Sequence, residues 1–366
     1  MTHDTQLPAS PPGVGIDTGK LQSFATRLLG DMAGAMASLM CTIGDRLGLF
    51  RELRDGGPAT SEQLAERTSL DERYLREWLR ALASAGYLEH DPVGGRFTLP
   101  SEHAAALAGE GGPMFMGGAY QQLPGLLGPL DRVTRAFQDG RGVPLEAYGD
   151  DLRLGMERVS AGWFENLLVP RWLPALPGMP ERLRRGATVA DIGCGGGRAL
   201  ISMARAFPAS RFVGYALLDT HVERARTNAG RAGVADRVRF ETRDATDGLP
   251  ETYDLITTFD VLHDVVDPLA ILKTVHRALE PDGSFLLLEI NAAEQLQDNA
   301  GPIGTMMYGT SVLFCLPTSL AAGAPGLGTM GLPEVTIRQL CSAAGFASPR
   351  RLPSENPFHA LYQVDP

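Results

Sequence analysis

The sequence predicts an α/β fold, a doubly wound and mostly parallel sheet in the C-terminal half, behind an all-helical N-terminal half that closes with a small β-wing. Two observations carry this. From Ala187 onward, short apolar runs alternate with amphipathic helical stretches, the rhythm of strand, helix and strand units. Before residue 110, helical patterns lead into two short strand patterns flanking a glycine turn. A chain of 366 residues also exceeds what one core ordinarily serves, since cores rarely grow beyond about 250–300 residues. The texture places a disordered tail over 1–18, a helical and winged domain over 19–110, a helical connector over 111–182 and the sheet domain over 183–366.

In the N-terminal half, apolar residues recur at helical spacing through Leu28, Leu29, Met32, Met36, Leu39, Met40, Ile43 and Leu47. Gly34, Ala35, Ala37 and Gly44 lie between them, so the helix suits close packing, and its apolar face is one that a lone protomer has difficulty burying. A homodimer is expected through this half. Next, Thr60-Ser61-Glu62-Gln63 opens a short capped helix, and Ser69-Leu70-Asp71-Glu72-Arg73 opens a second that runs to Ala85 and stops at Gly86. Tyr87–His90 and Arg96–Leu99 flank Pro92-Val93-Gly94-Gly95 as strand, turn and strand, which completes a winged helix.

A winged helix invites a DNA-binding reading, and charge opposes it. The second helix sets Asp71, Glu72 and Glu77 against Arg73, Arg76 and Arg80, and the whole chain carries a net charge of −10. A groove-reading helix needs a basic excess, so no nucleic-acid partner is expected. Cys41, Cys194, Cys315 and Cys341 are scattered without a C-x-x-C pair, which predicts neither a structural zinc site nor a disulfide framework and suits a reducing cytoplasm. No run approaches the ~20 apolar residues that cross a bilayer, and the start lacks the order of a signal peptide, so no membrane association is expected.

Residues 104–180 are rich in Gly and Pro, with helical patches at Met114–Leu127 and Leu152–Leu168, as in a segment that bridges domains and caps a pocket. From there the reading is regular. Strands are expected at Thr188–Ile192, Arg211–Tyr215, Val238–Thr242, Tyr253–Phe259 and Ser284–Ile290, with helices at Arg198–Ala206, Thr220–Ala232 and Pro268–Leu279 between them.

The sharpest chemical signal is Asp191-Ile192-Gly193-Cys194-Gly195-Gly196-Gly197, where an apolar strand runs into a glycine turn and then a helix. Glycines there permit a tight turn and close approach of a ligand to the backbone, as in any Rossmann-like nucleotide site. Three further features follow at spaced intervals. They are Asp244-Ala245 after a strand, Tyr253-Asp254-Leu255-Ile256 leading to Phe259-Asp260, and Leu279-Glu280-Pro281-Asp282-Gly283 before the last strand. Together with the D-x-G-x-G-x-G spacing they resemble the motifs of class I methyltransferases dependent on S-adenosylmethionine (SAM). Gly142-Val143-Pro144, Tyr148-Gly149-Asp150, Gly155-Met156 and Phe259-Asp260-Val261-Leu262-His263-Asp264 resemble a bacterial branch of small-molecule methyltransferases with a winged-helix N-terminal domain.

The resemblance implies SAM as cofactor, with Asp191, Gly193, Gly195, Gly197, Tyr215, Ala216, Asp244, Ala245 and Phe259 around it. It also implies a small-molecule acceptor, of secondary metabolism, beneath a lid from the connector. The sequence departs from the pattern at Ala216, where the family has an acid that binds the ribose hydroxyls. Asp219 is near, but Thr220 and Glu223 form a T-x-x-E capping pattern that places Asp219 just outside the helix. Certain C-methyltransferases similar to this branch hold iron with two histidines, the first resembling His263. No histidine stands near Phe314-Cys315, so no metal is expected.

His263, after a strand end, suits a general base, because neutral imidazole takes a proton near pH 7. A histidine satisfied by a backbone carbonyl is the structural alternative. Asp260 and Glu289, at strand C-termini where open sheets bind ligands, suit the orientation of a substrate hydroxyl or amine. Tyr120, Tyr148, Trp163, Phe164 and Tyr308 serve as pocket walls or as ordinary core. Met306-Met307-Tyr308 and Gly323–Gly331 read as a mobile segment over the pocket or as plain surface loop. A methyltransferase-like protein that has lost transfer, and a winged-helix regulator, are the competing functions.

Overall fold

The computed structural model describes residues 15–366, in two compact units, one ending at Pro100 and the other spanning Ser101–Pro366. The expected tail over 1–18 lies outside the described residues as far as residue 14, and helix α1 already begins at Thr18.

In the first unit, α1 (Thr18–Leu47) starts at Asp17, whose side chain accepts from the amides of Gly19 and Lys20, and stops at Gly48 with φ 71°. Helices α2 (Leu49–Gly56) and α4 (Glu72–Ser84) pack on its C-terminal part, and α3 (Ser61–Thr68) packs on both of them. The reason is visible at Gly44. A Cβ there would lie 2.6 Å from Trp78 and 2.7 Å from Phe50, so only glycine admits both rings, and Trp78 Nε1 donates to the Met40 carbonyl at 2.9 Å. The N-terminal part of α1 leaves Leu29 72% and Met32 59% exposed. Thr60 and Gln63 form the reciprocal capping box of α3, whereas α4 is capped by Asp71, two residues beyond the Ser69 that opens its pattern. Strands β1 (Glu89–Asp91) and β2 (Arg96–Thr98) make the antiparallel wing.

The second unit holds α5 (Ser101–Leu107), α6 (Gly117–Leu127), α7 (Leu130–Asp139), α8 (Asp150–Trp163), a π-helical extension Phe164–Trp172 and α9 (Met179–Arg185). There follow β3 (Thr188–Ile192), α10 (Arg198–Ala206), β4 (Arg211–Ala216), α11 (Asp219–Ala232), β5 (Val238–Thr242), β6 (Tyr253–Phe259), α12 (Pro268–Ala278) and β7 (Leu279–Ile290). The chain ends with α13 (Pro302–Thr310), α14 (Leu316–Ala321), α15 (Glu334–Ala344), β8 (Arg350–Leu352) and β9 (His359–Val364). The connector helices therefore share a unit with the sheet, whose seven strands run β5-β4-β3-β6-β7-β9-β8. β3 to β7 are parallel, and β9 closes on β7 antiparallel, Ile290 opposite His359. Both faces are buried, as the two-residue period of a strand requires: Val189, Phe212, Leu286 and Leu288 enter one apolar layer, Ala190, Val213, Phe285 and Leu287 the other.

Several expectations are corrected. β8 and β9 lie beyond the last strand read from the sequence. α11 begins at Asp219, not Thr220, with Leu218 at the N-cap and no side-chain cap, so the Thr220/Glu223 box does not form. An acid in a first helical turn is itself favourable, and Asp219 also accepts from the Thr242 hydroxyl. Met306-Met307-Tyr308 is helical, in α13, which starts with Pro302 at its first turn. Pro302–Ala321 forms 20 helical residues at mean hydropathy 1.2, which corrects the reading that no run reaches the length and composition of a membrane span. Its Phe314 and Cys315 pack instead with Val143, Tyr148 and Leu152.

Candidate functional site

Strand order reverses between β3 and β6, and ligands of open α/β sheets bind at the strand C-termini beside such a reversal. The glycine turn lies there, after β3. Gly193 and Gly197 adopt φ 74° and 75°, and a Cβ would meet Val261 at 2.5 Å in the first case and Phe240 at 2.6 Å in the second. The turn is thus closed to side chains by conformation and by space. The Tyr215 carbonyl accepts from the amides of Gly193 (2.9 Å) and Cys194 (3.1 Å), so β4 holds the turn by its backbone. The Tyr215 side chain points elsewhere, fully buried with its hydroxyl 2.6 Å from that of Tyr253.

Asp191 is 3% exposed and accepts from Thr257 Oγ1 at 2.7 Å. Burial pushes its carboxyl up to about 7, against the opposing effect of that hydrogen bond. Ala216 ends β4 and is buried in the apolar layer that contains Val222 and Ala225. Asp244 is exposed and caps its own turn, accepting from the Thr246 amide at 2.9 Å and hydroxyl at 2.7 Å, while Ala245 beside it is buried. Phe259 is half-buried between the rings of Phe164 (5.0 Å) and Trp172 (6.2 Å).

At the ends of β6 and β7 the structure brings three expected residues together. His263 is 3% exposed and Glu289 0% exposed, and Nδ1 of the imidazole lies 2.8 Å from Glu289 Oε2. The other carboxylate oxygen accepts from the amides of Leu262 (2.6 Å) and Val261 (3.2 Å), which fixes the acid. His263 therefore presents Nε2, which lies 3.5 Å from Asp264 Oδ1 and 3.8 Å from Cys315 Sγ. Burial by itself disfavours the imidazolium, but the carboxylates of Asp264 and Glu289 outweigh it and raise the His263 pKa well above the ordinary value. Asp260 has φ 64°, a strained conformation for a residue with a side chain. Its Oδ2 lies 3.0 Å from His359 Nε2, while Oδ1 is shielded from solvent and has no hydrogen-bond partner. Burial raises the Asp260 carboxyl, and the charges of His359 and His263 more than offset this.

Trp163 meets His359 edge-on at 4.5 Å between ring centres, beside Asp260. Tyr148 is 7% exposed and its hydroxyl donates to the Leu313 carbonyl at 2.6 Å, so the ring alone is left to wall a pocket. Tyr308 is 38% exposed on α13 and its hydroxyl accepts from Asn299 Nδ2 at 3.3 Å. Three members of this cluster escaped the sequence reading: Asp264, Cys315 and His359. Asp264 follows His263 directly, whereas Cys315 hides in an apolar run and His359 in a strand that was not read.

Ligand atoms of His263, Asp264 and Cys315 lie within 4.8 Å of one another, as do those of Asp260, His263 and Glu289. Metal ligands must be deprotonated. Burial pushes both the Asp264 carboxyl and the Cys315 thiol up, which disfavours the deprotonated forms that a metal requires.

Comparison with known proteins bears on the two halves separately. The Rv2258c-like winged HTH domain family matches residues 35–109, and a methyltransferase domain family matches residues 183–311. Residues 183–311 therefore carry a methyltransferase domain, and residues 35–109 a winged-helix domain. The chain is 35% identical over 111 residues to the ubiquinone biosynthesis O-methyltransferase of Neisseria meningitidis, covering 29% of this chain and 45% of that one. It is 36% identical over 108 residues to the 27-O-demethylrifamycin SV methyltransferase of Amycolatopsis mediterranei, covering 29% of this chain and 39% of that one. The chain thus spans less than half the length of these curated relatives. Among solved structures, the mitomycin 7-O-methyltransferase MmcR aligns with TM-score 0.69 at 21% identity, over 95% of this chain and 99% of that one. Human N-acetylserotonin methyltransferase in complex with SAM aligns with TM-score 0.66 at 19% identity, over 93% and 97%. These two likenesses show the fold of the chain.

Proposed function

We propose that the protein transfers a methyl group from SAM to a hydroxyl of a small-molecule acceptor, with His263 as the general base. The observation that carries this reading is the His263–Glu289 pair at the ends of β6 and β7, in the sheet whose glycine turn follows β3. With Nδ1–H donated to Glu289, Nε2, beside Asp264 and Cys315, accepts the hydroxyl proton as the oxygen takes the methyl group and the thioether leaves. The need is for positioning and one proton acceptor, which a buried oriented imidazole supplies. The choice of oxygen follows the O-methyltransferase relatives. Asp191, the Gly193–Gly197 turn, Asp244 with Ala245, and Phe259 are the groups that would hold SAM. Asp260, with its unpartnered oxygen, suits a second donor on the acceptor, against the wall of Trp163.

Calorimetry tests the cofactor. Micromolar binding of SAM and of S-adenosylhomocysteine (SAH) is expected. Absence of both would sink the reading in favour of a methyltransferase-like protein that has lost transfer, for which Ala216 is the supporting feature. We further place a homodimer on α1, whose Leu28, Leu29, Met32 and Met36 are each about half exposed or more, 49–72%. Light scattering is expected to give twice the chain mass at micromolar concentration, and a monomer there would refute the placement.

A further inference from the structure

One buried carboxylate has no part in the chemistry above. Glu157, on α8, is 8% exposed in its side chain, and Oε1 accepts from Arg198 Nε at 2.8 Å and Asn228 Nδ2 at 3.1 Å. Its Oε2 lies 2.5 Å from Arg224 Nε, off the line of a hydrogen bond, so that contact is an ion pair. These partners surround the glycine turn. Arg198 is the first residue of α10, directly after Gly197, and Asn228 also donates to the Gly196 carbonyl at 2.9 Å. A Cβ on Gly196 would come within 2.7 Å of the Glu157 carboxylate, so the acid rests on the turn at a point bare of side chain. At the C-terminal end of the same helix, Trp163 touches His359, the partner of Asp260. The helix rises ~1.5 Å per residue, so one rigid rod reaches from the glycine turn to the acceptor end.

We propose that Glu157 is a positioning residue for the cofactor: it fixes the Gly195–Gly197 turn in its binding geometry and fastens α8 over it as the lid. A glycine-rich turn loses more conformational freedom on ordering than any other kind, and a ligand that must order it binds correspondingly less tightly. An acid clamped by two guanidinium groups and an amide orders it in advance. Without the acid, two cations remain side by side over the turn with nothing between them. This proposal rests on the reading of the turn as the SAM site.

The test is calorimetry with SAH on the full chain, comparing the parent with Glu157→Gln, Arg198→Gln and the double variant, alongside melting temperatures without ligand. Glu157→Gln is expected to weaken SAH about tenfold and to raise KM for SAM by more than it lowers kcat. The double variant is expected to bind no more weakly than Glu157→Gln, because the two side chains act as one contact. SAH affinity within twofold of the parent, even with a lowered melting temperature, would make Glu157 a structural staple and end the proposal. Effects that add in the double variant would end it too. If Glu157→Gln does not fold, Glu157→Asp takes its place, since a carboxylate drawn back by one methylene keeps its charge and loses its seat on the turn. A parent that binds no SAH would remove the cofactor reading itself, and the proposal with it.

Discussion

Replacement of His263 by Ala is expected to lower kcat by about two to four orders of magnitude, the usual worth of a positioned general base, with SAH affinity little changed. The side chain is buried against Glu289, and its Nε2 is free of backbone partners, so its removal deletes the proton acceptor. The pH dependence has a definite sign. The Asp264 and Glu289 carboxylates overcome burial and hold the His263 pKa well above its ordinary value. A base acts when neutral, so kcat/KM rises with pH on the alkaline side of about 6.5, through that raised pKa. Glu289→Gln removes one of the raising charges, so its rise moves to lower pH while its plateau falls, the imidazole being less well oriented. Full activity in His263→Ala would return this residue to a structural role. Because His263, Asp264 and Cys315 converge, the same preparations are to be assayed for metals. About one transition-metal ion per chain in the parent, lost in the variant, would make His263 a ligand instead of a base.

Ala216→Asp is expected to tighten SAM and SAH alike by about one to two orders of magnitude, since both carry the same ribose. Charged hydrogen bonds of that kind contribute about 1.5–3 kcal/mol each before desolvation is subtracted. Desolvation matters here, because Ala216 is only 5% exposed and belongs to the apolar layer with Val222 and Ala225. The ligand-free variant is therefore expected to melt a few degrees below the parent, and saturating SAH to reverse that difference. The neighbouring acid does not substitute readily, for Asp219 is held by the Thr242 hydroxyl at the start of α11. If the variant binds neither ligand better than the parent, the ribose does not lie at this strand end.

The sequence by itself determined the frame of this protein. Strands β3 and β6 stand where their apolar runs lie, because a strand buried on both faces needs such a run whatever it pairs with, while β5, at the sheet edge, shows in the alternation of Val238 and Phe240 with polar residues. The glycine turn was legible for a similar reason: φ near +75° at Gly193 and Gly197 is a local demand that only glycine meets freely. Capping chemistry likewise gave α3 and, within two residues, α4. What only the tertiary structure decided is which side chains meet. Glu289 reaches His263 across 26 residues, Cys315 across 52, and His359 reaches Asp260 across 99. No local pattern encodes such pairings, because they follow from strand order, from the antiparallel closure of β9 on β7 and from the path of helices between sheet ends. The seat of Glu157 is of the same kind. On α8 it is one charged residue among several, and only the packing of that helix over a turn without side chains makes it a clamp. Periodicity reports which residues are buried, whereas the partner of a buried charge is set by the register of elements far apart in the chain.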